Sequence, residues 1–406
     1  MMKSIYLSIG ADIDPEKHII CKFYFESQLS NNEAAESIAA ESSIGTWTDV
    51  KTMKEEIKNK LAAKVFKIEN NEMHIAYPLE MFEASIPQLL ADIAGNIFGI
   101  KFVDNLRLLE VKYPSKYITT FKGPQFGIDG VRKLLKIKER PLVGTIIKPK
   151  IGLSADDHAR VAYEAWVGGC DFVKDDENLT NQSFNPFKER VEKTLNVLDK
   201  AETVTGEKKN YAPNISAPYK EMIKRAQFVK DHGGKCIMID ILTCGFSALQ
   251  SIGEENFGMI VHGHRTMHGA ITRNEKHGIH MNVLAQLSRF CGIDQLHIGT
   301  IVGKMSGDKE EVLKNIEACI YKCGLKSVFP VCSGGLYAGH IPALMEILGK
   351  NIIIQAGGGV HGHSKGTSAG ATSMRQAVDA VMEGIPIEEF IKTHEELRLA
   401  LEKWKR

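Results

Sequence analysis

Residues 170–177 read CDFVKDDE, an apolar run that passes directly into one lysine and three carboxylates. Acidic side chains at the end of a buried strand offer hard oxygen ligands, and Mg²⁺ typically takes one or two carboxylates before it recruits oxygens from a substrate. Lys174 is out of place in such a cluster, because an ammonium group would repel the cation. If the amine takes up CO2 as a carbamate, it becomes a further oxygen ligand. The alternative is an ion-pair network at the protein surface.

An apolar, β-rich segment followed by a helical pattern recurs along the chain from about residue 140. Eight such segments end near Lys150, Asp176, Ser216, Ile241, Thr266, Gly303, Gly335 and Gly359. Ser154 and Asp157 form a helix-start signal after the first segment, and Gly384 ends the last helical pattern. Strand then helix, eight times over, predicts a (β/α)8 barrel. A doubly wound open sheet is the structural alternative, although no GxGxxG turn opens the first unit.

The first 121 residues follow a different pattern, which predicts a smaller α+β domain of ferredoxin-like type. Strands are predicted at Ile19–Phe25, His74–Tyr77 and Leu106–Val111, and helices at Asn31–Ala40 and Ile86–Ile93. The turn-forming residues 122–125 (KGPQ) mark a linker. We therefore predict an N-terminal domain at 1–121 and a catalytic barrel at 122–406.

The composition excludes several classes of protein. The 406 residues are too many for one compact core of ordinary size, which agrees with two domains. The formal net charge is +1 without a basic run, so neither nucleic acid nor an anionic membrane is indicated as a partner. No apolar run approaches the ~20 residues of a membrane span, and the N-terminus lacks a secretory signal. Eight scattered cysteines, mostly within apolar segments, indicate buried thiols in a reducing compartment, and we predict a cytoplasmic protein.

In a barrel of this kind the active site lies at the carboxyl ends of the strands, and most of the unusual polar residues fall there. By strand, the set comprises Lys148 and Lys150; Lys174, Asp176 and Glu177; His262, His264 and Arg265; His297 and Lys304; Ser333, Gly334 and Gly335; and Gly357, Gly358 and Gly359. Lys148 and Lys150 are expected on one face, because side chains alternate along a strand. The glycines after strands seven and eight can expose backbone N–H groups to a phosphate. Positive charge comes from Lys150, Arg265, His297 and Lys304, so the mouth of the barrel suits a bisphosphate.

The His-Gly-His at residues 262–264 allows another interpretation. His-x-His on a strand, together with a carbamylated lysine, occurs in binuclear metal hydrolases built on the same barrel. In that class the motif belongs to the first strand, whereas here it lies on the fifth. Arg265 follows at once, and its guanidinium would oppose a metal ion.

Eight segments in chain order carry a resemblance to a known family: residues 40–48 (AESSIGTWT), 94–99 (AGNIFG), 144–150 (GTIIKPK), 169–178 (GCDFVKDDEN), 264–265 (HR), 296–304 (LHIGTIVGK), 333–335 (SGG) and 355–359 (QAGGG). They closely resemble the large subunit of ribulose-1,5-bisphosphate carboxylase, and the resemblance extends from about residue 18 to residue 400. It is closest in character to the archaeal, type III branch. That branch implies a role in the salvage of ribose from AMP and nucleosides.

The resemblance implies a lyase that adds CO2 to ribulose 1,5-bisphosphate and yields two molecules of 3-phosphoglycerate. O2 is implied as a competing substrate, which gives an oxidoreductase (monooxygenase) side reaction. Carried over by motif, Lys174 binds Mg²⁺ as a carbamate together with Asp176 and Glu177, and the carbamate is the base that removes the C3 proton. Carbamylation needs a free amine, so the pKa of this lysine, ordinarily ~10.4, must be lowered or the adduct trapped by the metal.

The resemblance also implies the remaining roles. Lys148 and His264 are acid–base groups, and Lys304 closes over the substrate and stabilises the new carboxylate. One phosphate is held by Arg265, His297 and Ser333. The other is held by Gly335, Gly357, Gly358, Lys304, Thr46 and Trp47, and the substrate-binding set also includes Lys150, Gly334 and Gln355.

Four residues of the N-terminal domain complete the implied site: Glu41 and Asn96 as catalytic residues, and Thr46 and Trp47 as substrate ligands. In the family they reach the barrel of a second subunit. The resemblance therefore implies a homodimer with two shared active sites, and larger rings can be built from such dimers.

Two departures from the family pattern are visible. Ile146 stands where the plant enzymes have a threonine, and only 29 positions separate Lys304 from Ser333, a stretch that is longer in typical members. The segments that flank the mobile lysine are therefore shortened, which leaves the preference for CO2 over O2 open. The alternative function is that of a carboxylase-like enolase or isomerase of the methionine-salvage type. Such relatives typically lack the loop lysine, which is present here.

Overall fold

A computed structural model describes residues 5–46, 48, 50–303 and 308–404 of the chain. The backbone separates into two compact units. Unit 1 consists of Met1–Lys122, Met267–Cys291 and Lys322–Leu325, and unit 2 of Gly123–Thr266, Gly292–Tyr321 and Lys326–Arg406. The sequence predicts a single boundary between residues 121 and 122, whereas Met267–Cys291 belongs to unit 1 although it interrupts the second unit along the chain.

The described residues form these strands: β1 (His18–Ser27), β2 (Lys64–Glu69), β3 (Glu72–Pro78), β4 (Val103–Lys112), β5 (Leu142–Ile146), β6 (Phe172–Lys174), β7 (Asn210–Ala212), β8 (Cys236–Asp240), β9 (Ile260–His264), β10 (Gly278–Ile279), β11 (Gln295–Gly299), β12 (Phe329–Ser333) and β13 (Ile353–Gln355). They form these helices: α1 (Asn31–Glu41), α2 (Glu55–Leu61), α3 (Ile86–Ile93), α4 (Ser115–Ile118), α5 (Gly127–Leu135), α6 (Ala155–Val167), α7 (Phe187–Thr205), α8 (Tyr219–Asp231), α9 (Gly245–Glu255), α10 (Gly269–Thr272), α11 (Met281–Phe290), α12 (Lys309–Ile320), α13 (Ile341–Leu348), α14 (Gly358–His361), α15 (Thr367–Glu383), α16 (Ile387–Phe390) and α17 (Glu395–Trp404). Short 3-10 helices cover Leu79–Met81, Asn96–Gly99 and Ala338–His340. None of the helices described has the length and apolar character needed to cross a bilayer.

Unit 1 is built on one sheet with the strand order β10-β4-β1-β3-β2. The succession β1-α1-β2-β3-α3-β4 with the order 4-1-3-2 is the predicted ferredoxin-like arrangement, and β10 is added in parallel beside β4. Along β1 every second side chain is buried, including Ile19, Cys21 and Phe23, so one face of the strand carries the core. The predicted strands and helices of this unit are confirmed, and β2 and α2 are additional.

Unit 2 is built on eight parallel strands in the order β7-β6-β5-β13-β12-β11-β9-β8. The two end strands also meet, because Asn214 bridges Met238 and the Met238 N–H donates to the carbonyl of Pro213 at 2.9 Å. The sheet therefore closes on itself. This closure confirms the predicted (β/α)8 barrel and excludes the open doubly wound sheet.

The interior of the barrel is filled with apolar side chains. Phe172, Met238, Ile260, Val331 and Ile353 belong to one buried cluster contributed by five of the strands. They lie at the start or middle of their strands, while most of the polar residues singled out by the sequence come at the ends or in the loops that follow; His262 and His297, in the middle of β9 and β11, are the exceptions within the described strands. The packed core therefore forms a floor beneath the candidate site.

Two helix boundaries follow their sequence signals. α6 begins after Ser154, whose hydroxyl accepts a hydrogen bond from the N–H of Asp157 at 3.1 Å. α15 ends at Gly384, which has a φ of +71° and so occupies the left-handed region that favours glycine. Both predicted boundaries are confirmed.

β5 ends at Ile146, before the predicted end near Lys150. Pro149 has no N–H to donate to a neighbouring strand, so the ladder cannot run through it. Lys148 and Lys150 therefore lie in the loop after β5. The expectation that strand alternation places them on one face is wrong, because neither residue belongs to a strand.

Candidate active site

Lys174 is the last residue of β6, and its side chain is completely buried. Its Nζ donates to the carbonyl oxygen of Asp175 at 2.9 Å and lies 3.4 Å from the sulfur of Met238. Among the described residues, no carboxylate oxygen lies within 4.0 Å of this nitrogen. Burial lowers the pKa of Lys174, although the charges of Glu177 and Asp176 oppose the shift. The neutral amine that CO2 requires is therefore easier to form here than in an exposed lysine.

Asp176 accepts hydrogen bonds on both carboxylate oxygens. Oδ2 accepts from Lys148 Nζ at 2.6 Å, and Oδ1 accepts from the backbone N–H and the side-chain amide of Asn178 at 3.2 and 3.0 Å. Burial acts to raise the pKa of Asp176, but the hydrogen bond and charge of Lys148 outweigh it, so the pKa lies below its ordinary value. The carboxylate is thus ionised and held in one orientation.

Glu177 is held more loosely. Lys150 Nζ lies 3.6 Å and His264 Nε2 3.7 Å from its oxygens, both longer than a hydrogen bond. Burial acts to raise the pKa of Glu177, and the charges of His264 and Lys174 lower it by more. The ionised side chain borders a cavity of about 870 Å³, also lined by Asn178, Ser216, Asp240, Thr243 and Thr266. Its lone pairs are available to a ligand.

Asp175, which lies between the other two acids in the sequence, is bonded to a different set of groups. Its Oδ1 accepts from the Tyr211 hydroxyl at 2.6 Å and lies 3.1 Å from His158 Nε2. Its Oδ2 accepts from Arg190 Nε at 3.0 Å and from the N–H of Asn214 at 2.9 Å. We call these five buried residues the anchor network. Asp175 is therefore already bonded, and the carboxylates left for the candidate metal site are Asp176 and Glu177, the two that the family resemblance implies.

The donors at the end of β6 fit Mg²⁺ in chemical type, because Asp176 and Glu177 offer hard oxygens. Within the part of the chain that the structure describes, no three His, Cys, Asp or Glu side chains are grouped so that they could hold a metal ion. A carbamate on Lys174 would add oxygens to the two carboxylates. The buried position of its amine and its lowered pKa fit that role.

His264 ends β9 beside these acids. Its Nδ1 accepts from the N–H of Thr266 at 3.2 Å and lies 3.5 Å from Oδ1 of Asp240. In the neutral ring the proton is therefore on Nε2, the nitrogen nearest Glu177. Burial lowers the pKa of His264. The sequence does not predict Asp240 as a site residue. The available signal is that the apolar run at 236–240 (CIMID) ends in a carboxylate, just as carboxylates follow β6.

The three residues predicted to hold one phosphate lie on or directly after the adjacent strands β9, β11 and β12: Arg265 follows β9, His297 is in the middle of β11, and Ser333 ends β12. His297 Nδ1 is 2.8 Å from the hydroxyl oxygen of Ser333. Arg265 packs against the end of β11, where a Cβ on Gly299 would come within 2.7 Å of its Nη2. Burial lowers the pKa of Arg265 to about 10, so the guanidinium remains charged at neutral pH.

His297 has a second partner, His262, for which the sequence predicts no role in the chemistry. Its Nε2 is 2.9 Å from Nε2 of His262, and Nδ1 of His262 is 2.9 Å from Oε1 of Gln295. The strand pairing of β9 with β11 brings these residues together, since Gln295 is opposite His262 in the register. The sequence signal that could have identified these residues is an apolar strand with two polar residues two positions apart, Gln295 and His297.

The predicted glycine turns follow β12 and β13. Gly334 and Gly335 have φ values of +133° and +75°, which side chains rarely tolerate. A Cβ on Gly357 would lie 3.0 Å from Cε of Lys148, so the missing side chain makes room for that lysine. Gln355 is buried at the end of β13, and both its amide oxygen and nitrogen lack a hydrogen-bond partner within the described residues. A ligand that bonded this amide would offset the cost of burying it.

The candidates from the N-terminal domain lie in unit 1. Glu41 is the last residue of α1, Thr46 lies in the loop that follows, and Asn96 begins the 3-10 helix Asn96–Gly99; all three are exposed. Trp47 and Lys304 lie outside the described residues.

Comparison with known proteins connects this geometry to a family. The family model "Ribulose bisphosphate carboxylase large chain, catalytic domain" matches residues 127–404, and that of the N-terminal domain matches residues 9–117. The ribulose bisphosphate carboxylase of Methanocaldococcus jannaschii is 52% identical over 396 residues, covering 91% of this chain and 93% of the relative. The octameric enzyme of Pyrococcus horikoshii OT3 superposes with a TM-score of 0.95 at 45% identity, covering 98% and 96% of the two chains. The dimeric archaeal enzyme of Hyperthermus butylicus gives 0.92 at 41% identity, covering 98% of each chain.

Proposed function

The chain belongs to the ribulose bisphosphate carboxylase large-chain family, and we propose that it adds CO2 to ribulose 1,5-bisphosphate to form two molecules of 3-phosphoglycerate. It is an enzyme of the carboxylase type, and its relatives described above are archaeal, in agreement with the predicted branch. One observation carries the proposal: the fully buried amine of Lys174 lies beside Asp176 and Glu177 without a carboxylate partner among the described residues.

Asp176, Glu177 and a carbamate on Lys174 are the proposed ligands of Mg²⁺. When bound, the metal polarises the C2 carbonyl and the C3 hydroxyl of the sugar and makes the C3 proton more acidic. The chain's own contribution is orientation, since Lys148 and Asn178 fix the Asp176 carboxylate and leave Glu177 free to adjust.

Lys148 is the proposed acid–base group at C2. Its Nζ is 2.6 Å from Asp176, and its Cε packs where Gly357 has no side chain. The lysine thus lies between the proposed metal site and a glycine turn, which suits a group that must reach the middle of a bisphosphate. His264 is the proposed partner, because its Nε2 carries the proton and faces Glu177.

The phosphates are proposed to bind at two ends of the mouth. Arg265, His297 and Ser333 hold one, and their positions on or directly after adjacent strands, with His297 Nδ1 2.8 Å from the Ser333 hydroxyl oxygen, support this grouping. Gly335, Gly357, Gly358, Thr46, Trp47 and Lys304 hold the other. Gln355, Gly334 and Lys150 complete the substrate-binding set, with the unpartnered amide of Gln355 as the supporting observation.

A homodimer with shared active sites is proposed from the residues of unit 1. Glu41, Thr46 and Asn96 are polar and exposed, as residues that meet substrate in a second subunit would be. The solved relatives are described as dimeric and octameric, which supports dimers and larger assemblies for this chain.

Three further properties are proposed by family resemblance. The electron-rich sugar intermediate that captures CO2 is also open to O2, so an oxygenase side reaction is expected. The pathway is salvage of ribose from AMP and nucleosides. A cytoplasmic location is supported by the buried free thiols of Cys170, Cys236 and Cys332.

Carbon fixation is the direct test. Protein preincubated with bicarbonate and Mg²⁺ is given labelled CO2 and ribulose 1,5-bisphosphate, and label is expected in 3-phosphoglycerate. Lys174→Met, which has no amine to carbamylate, is expected to fix none. Exchange of the C3 proton with solvent, without labelled product, would instead support the enolase alternative.

Lys304→Met separates the two functions further. We expect this variant to lose carboxylation and to keep C3 proton exchange, because the proposed role of Lys304 begins after the proton has left. Loss of both activities would contradict that role.

A further inference from the structure

Four side chains form a continuous hydrogen-bonded chain beneath the mouth of the barrel: Gln295, His262, His297 and Ser333. The joined atoms are Gln295 Oε1 and His262 Nδ1 at 2.9 Å, the two histidine Nε2 atoms at 2.9 Å, and His297 Nδ1 and Ser333 Oγ at 2.8 Å. Gln295 and His262 are completely buried, and His297 is 2% exposed. Only Ser333 is partly accessible.

Both histidines are neutral, because burial holds the pKa of His262 and of His297 well below the ordinary value. The expectation that His297 adds positive charge to the mouth of the barrel is therefore wrong. A neutral imidazole has one N–H donor and one acceptor nitrogen. A ring that accepts a hydrogen bond on one nitrogen therefore donates from the other. The direction of the hydrogen bond at one end of the chain sets the direction of the hydrogen bond at the other end.

The choice is made by the amide of Gln295. When its Oε1 faces His262, the hydrogen bonds run from Ser333 to His297, then to His262, then to Gln295. The Ser333 hydroxyl then donates its proton to His297 and has none to offer to a ligand. When the amide is rotated and its Nε2 faces His262, every bond reverses, His297 donates to Ser333, and the hydroxyl proton is free to point outward.

The two directions leave the same number of buried amide atoms without a hydrogen bond. Gln295 Nε2 has no partner within the described residues when Oε1 faces His262, and rotation leaves the oxygen without a partner instead. Each direction therefore leaves one buried amide atom unsatisfied. Both hold one proton on each ring and one on the hydroxyl, so the change needs no net gain or loss of protons.

We propose that His262 and Gln295 are positioning residues that set the direction of this chain and so decide whether the Ser333 hydroxyl donates inward to His297 or outward to a phosphate oxygen. The proposal rests on the proposed function in one respect: Ser333 is taken to contact a substrate phosphate. An oxyanion adds a hydrogen bond to only one of the two states, so it selects that state.

The tautomers can be observed directly. In protein labelled with ¹⁵N-histidine and kept in phosphate-free buffer, we expect the proton on Nδ1 of His262 and on Nε2 of His297. Saturating inorganic phosphate is expected to move them to Nε2 of His262 and Nδ1 of His297. Ser333→Ala identifies the site, since it should weaken phosphate binding. Unchanged tautomers with phosphate bound, or no binding that depends on Ser333, would overturn the proposal.

Variants of Gln295 test the amide itself. Gln295→Met cannot donate to His262, so the Kd for inorganic phosphate is expected to rise roughly tenfold. The KM for ribulose 1,5-bisphosphate should rise by the same factor, with kcat little changed. Gln295→His can donate or accept and is expected to restore binding to within about twofold of the parent.

Gln376→Met is the matched control, because Gln376 is a partly buried glutamine of α15 that bonds Glu396 and the N–H of Leu397 away from the site. It should leave phosphate binding unchanged. Equal effects of Gln295→Met and Gln295→His would indicate a packing role and contradict the proposal. If the tautomers respond to phosphate but no CO2 is fixed, the proposed function fails and this inference stands.

Discussion

Asp175 and Asp176 are consecutive in the sequence, yet they lie in two regions of unit 2 that differ in how completely their carboxylates are bonded. In the anchor network, four buried groups surround the two oxygens of Asp175 at 2.6–3.1 Å. In the acidic pair (Asp176 and Glu177), Asp176 is hydrogen-bonded by Lys148 and Asn178, whereas the charged partners of Glu177 within the described residues lie 3.6 and 3.7 Å away. A carboxylate enclosed by buried groups holds the fold, whereas a pair with one loosely held carboxylate can bind a ligand.

The two regions depend on each other. The anchor network joins β6 to α6 through His158, to α7 through Arg190 and to β7 through Tyr211. Because Asp175 lies between Lys174 and Asp176, the network fixes the backbone from which these two side chains extend before any ligand arrives. A site held in place by rigid elements loses less conformational entropy when it binds a ligand.

Removal of the charge in the anchor network should produce the largest effect. Asp175→Asn leaves the guanidinium of Arg190 buried beside a neutral group, and breaking such a pair typically costs about 3–5 kcal/mol. We expect the free energy of unfolding in urea to fall by that amount. Asp199→Asn, an exposed position on α7, is the control and should change it by less than about 0.5 kcal/mol. A stable Asp175→Asn protein would refute the structural role.

An aspartate-to-asparagine substitution in the acidic pair should lower activity and leave the free energy of unfolding almost unchanged. Asp176→Asn removes a proposed Mg²⁺ ligand, so kcat/KM for carboxylation is expected to fall by more than the roughly 100-fold that outer-shell partners cost. Lys148 is partly exposed and can be solvated, so the free energy of unfolding should change by less than about 1 kcal/mol. Activity near that of the parent would show that Asp176 binds no metal.

Lys174→Met should stabilise the protein while it abolishes activation. Burial lowers the pKa of Lys174 in the native state, so the unfolded chain, with a lysine pKa of ~10.4, binds the proton more tightly. The lysine therefore opposes folding at neutral pH, and this penalty shrinks as the pH rises through the native pKa towards ~10.4.

In metal-free, CO2-depleted buffer, we expect Lys174→Met to raise the free energy of unfolding by about 1–2 kcal/mol at pH 7, with the gain vanishing near pH 10. Lys200→Met, at an exposed position on α7, should show neither effect. A variant less stable than the parent at pH 7 would mean that the amine is favourably bonded in the native state.

The difference between local and distant contacts also explains what the sequence predicts. The barrel is predictable because each strand–helix unit carries its own signals, such as the cap at Ser154 and the terminating glycine Gly384. The sequence singles out Lys174, Asp176 and Glu177 as proposed metal ligands because they fall within four consecutive positions. The functions proposed for Glu41 and Asn96 come from family resemblance alone, since nothing in their local pattern distinguishes them.

The residues that sequence reasoning missed depend on pairing between remote segments. His262 meets Gln295 and His297 only because β9 lies beside β11. Likewise, the placement of Met267–Cys291 in unit 1 reflects the pairing of Gly278 with Arg107. No local periodicity encodes these contacts, and a tautomer is fixed only once its partners are in place.

The smallest effect is expected where the anchor network meets the start of a helix. Ser154→Ala removes the cap of α6, the helix that carries His158, and such a loss typically costs about 1 kcal/mol. Thr203→Ala on α7 removes a hydroxyl that bonds only within its own helix, and it should change the free energy of unfolding by less than about 0.5 kcal/mol. Because His158 is one of four groups around Asp175, partial fraying of α6 should leave carboxylation almost unchanged. A large loss of activity in Ser154→Ala would show that the anchor network transmits strain to the acidic pair instead of isolating it.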